Sequence, residues 1–433
     1  MSYFSRRAIL FLFFPFLVVT LTGCNSLFDY LGGGKSSGNP AEMRAEFQKT
    51  KIGKKALKLI DEAYKIEGDI VDQHVHIIGS GGSVANLCPE IKETGIYINK
   101  NRFQPLKHPI LYGKTQVMMS SAKVSDVEKA DEESAQRLLE LVKVMPENTK
   151  FNLLALDWYR DENGSPNKDK TDLFIPNDYV LKLRDCMNRR VGRDAFISVI
   201  SVHPLDPKFA EVLDEYYAQG VRAVKWLPNS MNINPADKRN IPFYQKMASL
   251  EGMVLISHTG FEDAINVADG REAQHFGSPD RIELALEHGV TVLLSHSGGE
   301  TRYKDDYPQN HIDTFVDMMK KTRQNNWKLY GDISALTIKK NVDHFGKIIG
   351  NPDMQGRMLY GSDYPLPAIY FLYNGVCTLV KRGYLDKDLE EPLKLIFQYN
   401  PLIFDFVLKR NIHLPDNPNL KLPEEVFQSL QKL

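Results

Sequence analysis

The chain has 433 residues, of which 42% are hydrophobic and 25% charged, with a formal net charge of −1 and a pI near 6.8. These values suit a globular chain able to bury a large core, and nothing in them suggests a broad basic face for nucleic acid. Charged runs such as Lys49 to Lys58 are short and mixed with apolar residues, the pattern of a solvated helix face.

At the N-terminus, Arg6 and Arg7 precede an almost wholly apolar run from Ala8 to Leu21. Its length is that of a signal peptide and falls short of the ~20 apolar residues a membrane span needs. The run ends in Leu21-Thr22-Gly23-Cys24, which resembles the bacterial lipobox, where the cysteine is lipidated and becomes the mature N-terminus. A non-cleaved anchor, or a plain signal peptide with a chance cysteine, is the alternative. The segment from Gly32 to Pro40 is rich in Gly and Ser and reads as a flexible tether. The expected order is a signal peptide over 1–23, a tether over 24–50, a folded domain over 51–410 and a C-terminal tail over 411–433. The chain would then sit at the cell envelope, facing the periplasm or exterior, held to the membrane through a lipid on Cys24. With Cys24 modified, Cys88, Cys186 and Cys377 remain; their spacings match no zinc motif. They are expected to be buried thiols, with at most one disulfide among them.

From residue 70 onward, short strands rich in Val, Ile and Leu alternate with amphipathic stretches. Gly220, Gly252 and Gly289 stand where helices end and strands begin, as left-handed caps. Asp206 and Pro207 open a helix that carries Phe209, Val212, Leu213 and Tyr216 on one face. Strands are predicted over 70–78, 151–158, 195–203, 221–227, 253–259, 290–297, 328–334 and 358–363. Gln116 to Ser121 is also strand-like. Eight such units predict an α/β fold, a (β/α)8 TIM barrel with an insertion after the first strand; an open doubly wound sheet is the alternative. The insertion, over 79–150, reads as a lid followed by a helix over 126–144 with Ala135, Leu138, Leu139 and Val142 inward. Thr171 to Val191 reads as a second insertion.

Candidate chemistry gathers at the carboxyl ends of these strands, where barrel enzymes carry their sites. His74 and His76 end the first strand, and residues two apart on a strand point to one side. His258 ends the fifth strand, His296 the sixth and Asp363 the eighth. In a closed barrel the first and eighth strands are neighbours. Imidazoles and a carboxylate meeting there make a mixed N/O site for zinc or another divalent ion, with a position open for water. Asp363 is the candidate proton acceptor. Lys225, ending the fourth strand, is read as a substrate-facing cation, with a carbamylated lysine bridging two metals as the other option. His203, ending the third strand, is either structural or in contact with substrate. Trp158, Trp226, Asn229, Glu300 and Tyr364 lie just past strand ends and are candidate substrate contacts, or else packing.

Taken together these motifs resemble the amidohydrolase superfamily, in particular its amidohydrolase-related branch of metal-dependent hydrolases and aminocarboxymuconate-semialdehyde decarboxylase-like enzymes. The resemblance runs from about Ile70 to Phe406. It rests on the opening strand Ile70 to His76, on Leu359-Tyr360-Gly361-Ser362-Asp363-Tyr364-Pro365, and on Tyr399-Asn400-Pro401-Leu402-Ile403-Phe404. It implies a metal held by His74, His76, His258 and Asp363, with His296 catalytic or in contact with the metal. One divalent ion is expected, with Zn2+ the first candidate. The chemistry it implies is hydrolysis of a C–N, ester or lactone bond in a small molecule; decarboxylation of a small carboxylic acid, or an anchored binding protein without turnover, are the alternatives.

Overall fold

Eight short parallel strands line the interior of the computed structural model, which describes residues 28, 30–270, 272–299, 310–373 and 375–429. Cys24, the 1–23 segment and Glu300 lie outside the described residues. The strands are β1 Ile70–His76, β2 Thr149–Leu154, β3 Phe196–Val199, β4 Ala223–Trp226, β5 Val254–His258, β6 Thr291–Ser295, β7 Leu329–Asp332 and β8 Met358–Leu359. Each overlaps one of the predicted strands. They form two parallel sheets, one in the order β1-β2-β3 and one in the order β8-β7-β6-β5-β4.

Backbone hydrogen bonds also cross both seams between the sheets. Ile200 N donates to Ala223 O (3.2 Å) and Lys225 N to Ile200 O (2.7 Å). At the other seam, Gln73 N donates to Tyr360 O (3.0 Å), Asp363 N to His74 O (2.9 Å) and His76 N to Tyr364 O (2.9 Å).

Both faces of these strands are buried, which explains their nearly continuous apolar runs. Leu154, Val199, Ile256, Leu293 and Leu359 pack with one another as one cluster. Their sequence neighbours, such as Leu255, Val292 and Leu294, belong to the larger core shared with the helices. The strand period of two divides each run between these two cores. Gly220, Gly252 and Gly289 have φ of 85°, 71° and 80°, the left-handed conformation their positions demand.

Several expectations are corrected. Gln116 to Ser121 is helical, the second half of helix Pro109–Ser121, which Pro109 opens. Asp206 caps a turn rather than the helix: its Oδ1 accepts from Lys208 N, and the helix runs Phe209–Ala218. Thr171 to Val191 is only partly an insertion. Leu173–Phe174 pairs with Tyr97–Ile98 of the first insertion, and helix Asn177–Val191 is the crossover from β2 to β3. The 411–433 tail holds a hairpin, His413–Leu414 with Asn417–Lys421, and a turn of helix, Glu424–Phe427.

The described part of the supposed tether is packed. Gly32 and Gly33 are buried against helix Pro109–Ser121, and a Cβ on Gly33 would lie 2.2 Å from Ser120 O. Gly38 meets the ring of Tyr399 in the same way. These glycines serve close approach of backbone, a use that composition cannot tell from flexibility. Helix Met43–Gln48 then buries Met43 and Phe47. Among the three cysteines, Cys88 and Cys186 form a disulfide that ties the first insertion to helix Asn177–Val191, while Cys377 is a free, half-buried thiol. Two of the three expected thiols are therefore paired.

Candidate metal centre

Side chains from β1, β6 and β8 converge at the carboxyl ends of the strands. His74 Nε2 and His76 Nε2 lie 3.1 Å apart. Asp363 Oδ1 is 3.5 Å from His74 Nε2 and 3.3 Å from His76 Nε2, while Asp363 Oδ2 faces His296 Nδ1 at 3.8 Å. The donor atoms of His74, His296 and Asp363 all fall within 4.8 Å of one another. His258 joins through its ring, 4.9 Å from that of His296. Its Nε2 is buried with no hydrogen-bond partner, and the nearest carboxylate oxygen described is Glu262 Oε2 at 3.5 Å. The five predicted residues thus occupy one locality, with His76 and His258 on opposite flanks of the tight trio.

The backbone there is unusual. His296, Ser297, Ala335 and Asp363 have φ of 64°, 48°, 55° and 63°, which makes four of the seven non-glycine residues with positive φ among those described. Such conformations cost energy and are kept where surrounding contacts impose them. For Asp363 those contacts are the backbone bond to His74 and the seam with β1.

Four further polar residues complete the site without having been predicted. Asp332, ending β7, is fully buried; its Oδ2 lies 3.1 Å from His74 Nδ1, and its Oδ1 accepts from His296 N at 2.8 Å. An ionised carboxylate only accepts, so His74 Nδ1 carries the hydrogen and Nε2 turns its lone pair toward Asp363. Ser334 bonds Asp332 Oδ1 and lies 2.8 Å from His296 Nδ1. Asp72 Oδ1 accepts from His74 N (3.1 Å) and Ser362 N (2.8 Å), which pins β1 to the Asp363 turn. Glu262 Oε1 accepts from Ala264 N and Ile265 N, leaving Oε2 toward His258. Asp332 carried the same signal as Asp363, a carboxylate at a strand end; Asp72 lies within the opening motif itself.

Electrostatics prepare this group for a cation. Burial, then Lys225, pushes His74 down to about 3 against the pull of Asp363 and Asp332. Burial likewise lowers His258 and His296, so both are neutral donors. Burial works to raise Asp363, but His74, His296 and His76 outweigh it and hold the carboxyl well below its usual range. For Asp332 burial is overcome first by the hydrogen bond from His74, with Ser334 adding another, and the carboxyl is held below its usual range. Neutral imidazoles beside ionised carboxylates are the donor state a divalent ion requires.

The remaining predicted residues separate clearly. Lys225 is fully buried; its Nζ donates to Ser295 Oγ at 2.9 Å and lies 3.3 Å from His74 Nε2. It belongs to the cluster, and the expectation of a substrate-facing cation fails because nothing exposes its ammonium. His203 is buried, with Nε2 on Met231 O (2.9 Å) and Nδ1 accepting from Leu205 N (3.1 Å), so both ring nitrogens are committed to backbone. Trp226 donates to Val202 O and packs on Phe243 and Tyr244 in the core. Asn229 is buried, its Nδ2 on Gln274 Oε1 at 2.9 Å. Tyr364 is 2% exposed. Trp158 stacks on Phe174, with ring centroids 4.0 Å apart. A cleft of about 610 Å3 lies elsewhere among the loops that follow β2, β4 and β5, lined by Tyr159, Asp161, Lys170, Asn232, Asp269 and Glu272 among others; none of the five predicted metal-site residues lines it.

Residues 175–368 match the model of the amidohydrolase family. The matched segment, a little under half of the chain, contains His258, His296, Asp332 and Asp363 and begins after β1. It supports the amidohydrolase superfamily. No curated protein matches the chain. Among solved structures, a candidate amidohydrolase from Staphylococcus aureus is 13% identical, covering 61% of this chain and 90% of its own, with a TM-score of 0.36. A likeness at that level constrains neither fold nor chemistry here.

Proposed function

We propose that the chain is a metal-dependent hydrolase of the amidohydrolase type, built on a closed (β/α)8 barrel and acting on a C–N, ester or lactone bond of a small molecule. The observation that carries this reading is the convergence of the His74 and His76 Nε2 atoms on Asp363, with Asp332 fixing His74 from behind. The hydrogen bonds across both seams between the sheets support the closed barrel.

The donor set fits a divalent cation. Two Nε2 atoms face each other at 3.1 Å beside an ionised carboxylate, and the His258 Nε2 is buried without a partner. His74, His76, His258 and Asp363 would hold the ion, with zinc the best match to the N/O set. When bound, such an ion supplies Lewis-acid polarisation of a carbonyl and acidifies water. Asp363 Oδ1 is turned to the two imidazoles, which leaves Oδ2 to accept a proton from the attacking water. His296 Nδ1 lies 3.8 Å from that oxygen and is held by Ser334 Oγ at 2.8 Å. Asp332 and Ser334 keep His74 and His296 in place.

Lys225 bears on two other readings. Decarboxylation would call for an accessible cation to receive the substrate carboxylate, and Lys225 is 0% exposed. A second ion bridged by carbamylated Lys225 is favoured by its place against His74 and by burial, which pulls it down to about 8. A carbamate signal in 13C NMR of protein prepared in labelled bicarbonate would support the two-ion form.

The decisive experiment for hydrolysis combines metal analysis with a panel of lactones, esters and amides in H2 18O. Bound metal and 18O in the product acid are expected. Carbon dioxide release without 18O incorporation, or a metal-free chain whose turnover is unchanged by Asp363→Asn, would overturn it. The reading also includes a lipid on Cys24 and a place at the cell envelope, on the strength of Leu21-Thr22-Gly23-Cys24 after the apolar run.

A further inference from the structure

Helix Pro109–Ser121 lies in the insertion after β1, on the carboxyl-end side of the strands. Its Lys114 Nζ reaches Asp263 Oδ1 at 2.7 Å, in the loop after β5. It also packs on the segment Leu366–Ala368, just past Asp363. The helix is unusual in composition: Ile110, Leu111, Tyr112, Val117 and Met118 are all left exposed or half-buried. Nearby, Leu106 is 97% exposed and Ile110 61%. Tyr30 is 54% exposed and Phe371 49%, on segments tied to this helix and to each other by the Phe28–Tyr112 ring contact and the Tyr370 N to Gly32 O bond. Lys35 Nζ lies over the rings of Tyr30 and Tyr370, and Tyr370 N donates to Gly32 O. These four account for most of the large exposed apolar side chains among the described residues.

Charge points the same way. No Asp or Glu occurs between Glu93 and Asp126, while five Lys and Arg do; of these Arg102 is buried against Asp172, Lys114 pairs with Asp263 and Lys123 donates to Gly33 O. Lys100 and Lys107 are exposed. A surface that is apolar and basic at once is what an anionic lipid interface selects. The helix has 13 residues, about 20 Å at 1.5 Å per residue, so it lies on a bilayer and does not cross one.

Chain reach fixes the location. Phe28 packs on Tyr112, with ring centroids 6.1 Å apart. Three residues separate Cys24 from Phe28, four Cα–Cα steps that span at most about 14 Å. A lipid on Cys24 therefore brings the bilayer to this face and to no distant one. We propose that Tyr30, Leu106, Ile110 and Phe371, with helix Pro109–Ser121, form a docking face that rests on an anionic bilayer and holds the metal-site rim against the membrane. The inference rests on the lipid-anchor reading above, and it replaces a long flexible stand-off with close apposition.

The test uses the full chain in phosphatidylethanolamine and phosphatidylglycerol proteoliposomes, in a Cys377→Ser background. Nitroxide labels are placed at Leu106→Cys, Ile110→Cys and, as a reference, Leu420→Cys. Leu420 lies on the hairpin beside Gly350, at the amino-end side of the strands. At the first two sites, accessibility to a water-soluble relaxant should fall at least about threefold below that at Leu420, while oxygen accessibility rises, as for side chains immersed in acyl chains. Equal water accessibility at all three sites would overturn the proposal. So would a loss of both accessibilities at 106 and 110, which marks contact with protein, including a second copy. Mass analysis of the N-terminal peptide reports the acyl group on Cys24 separately. If it is absent, the anchor reading fails by itself, and added vesicles of the same lipids then decide the docking face by the same readout.

Discussion

Two layers of the same strands, two residues apart, have opposite chemistry. Ile256 on β5, Leu293 on β6 and Leu359 on β8 belong to a dry apolar layer. Two positions further on stand His258, Ser295 and Gly361, and His74, Lys225 and Asp332 gather with them, all buried. The lower layer gains from apolar burial. The upper one holds titratable groups out of water, where each must be neutralised, paired or bound to a cation. The contrast teaches that the period of two places core and site on one face of each strand, and that the apolar layer offsets the cost of the polar one above it.

The polar layer is most sensitive at Asp363. Asp363→Asn keeps the shape and removes the proton acceptor, so turnover should fall by about 10²–10⁴-fold, read as kcat/KM on any hydrolysed substrate, with unfolding midpoints little changed. Behind β8, Lys409 Nζ donates to Asp405 Oδ2 and to Gly361 O, all fully buried. Lys409→Met strands Asp405 and should cost about 3–5 kcal/mol in denaturant unfolding. In the apolar layer, Leu293→Ala should cost about 2–5 kcal/mol yet leave bound metal per folded chain unchanged; loss of metal there would show that the layers are not separable. Asp332→Asn should weaken metal affinity by roughly 10–100-fold, measured by chelator competition.

The smallest effect is on pH dependence. His203 is pushed down to about 3, by burial first and Arg160 in the same direction, against its hydrogen bond to Met231. The unfolded imidazole, near 6.5, binds a proton that the folded one refuses. The stability this neutral residue supports is complete above about 6.5 and is lost as pH falls toward about 3. His203→Gln should therefore flatten the stability curve between those values; an unchanged slope would assign acid sensitivity to the metal-site histidines.

The eight strands and the five side chains at their ends were legible in the sequence alone, because strand period and strand-end position are local properties. It could not decide which neighbours those side chains would have. Asp332 and Ser334 became part of the site only when β7 lay between β6 and β8, and Lys225 lost its solvent face only when β4 packed beneath His74. The same limit explains the glycines near residue 33 and the helix at Gln116. A glycine run serves either freedom or close approach, and a short apolar run either strand or helix. The surface that comes to lie against each of them, which only the fold supplies, decides between the two.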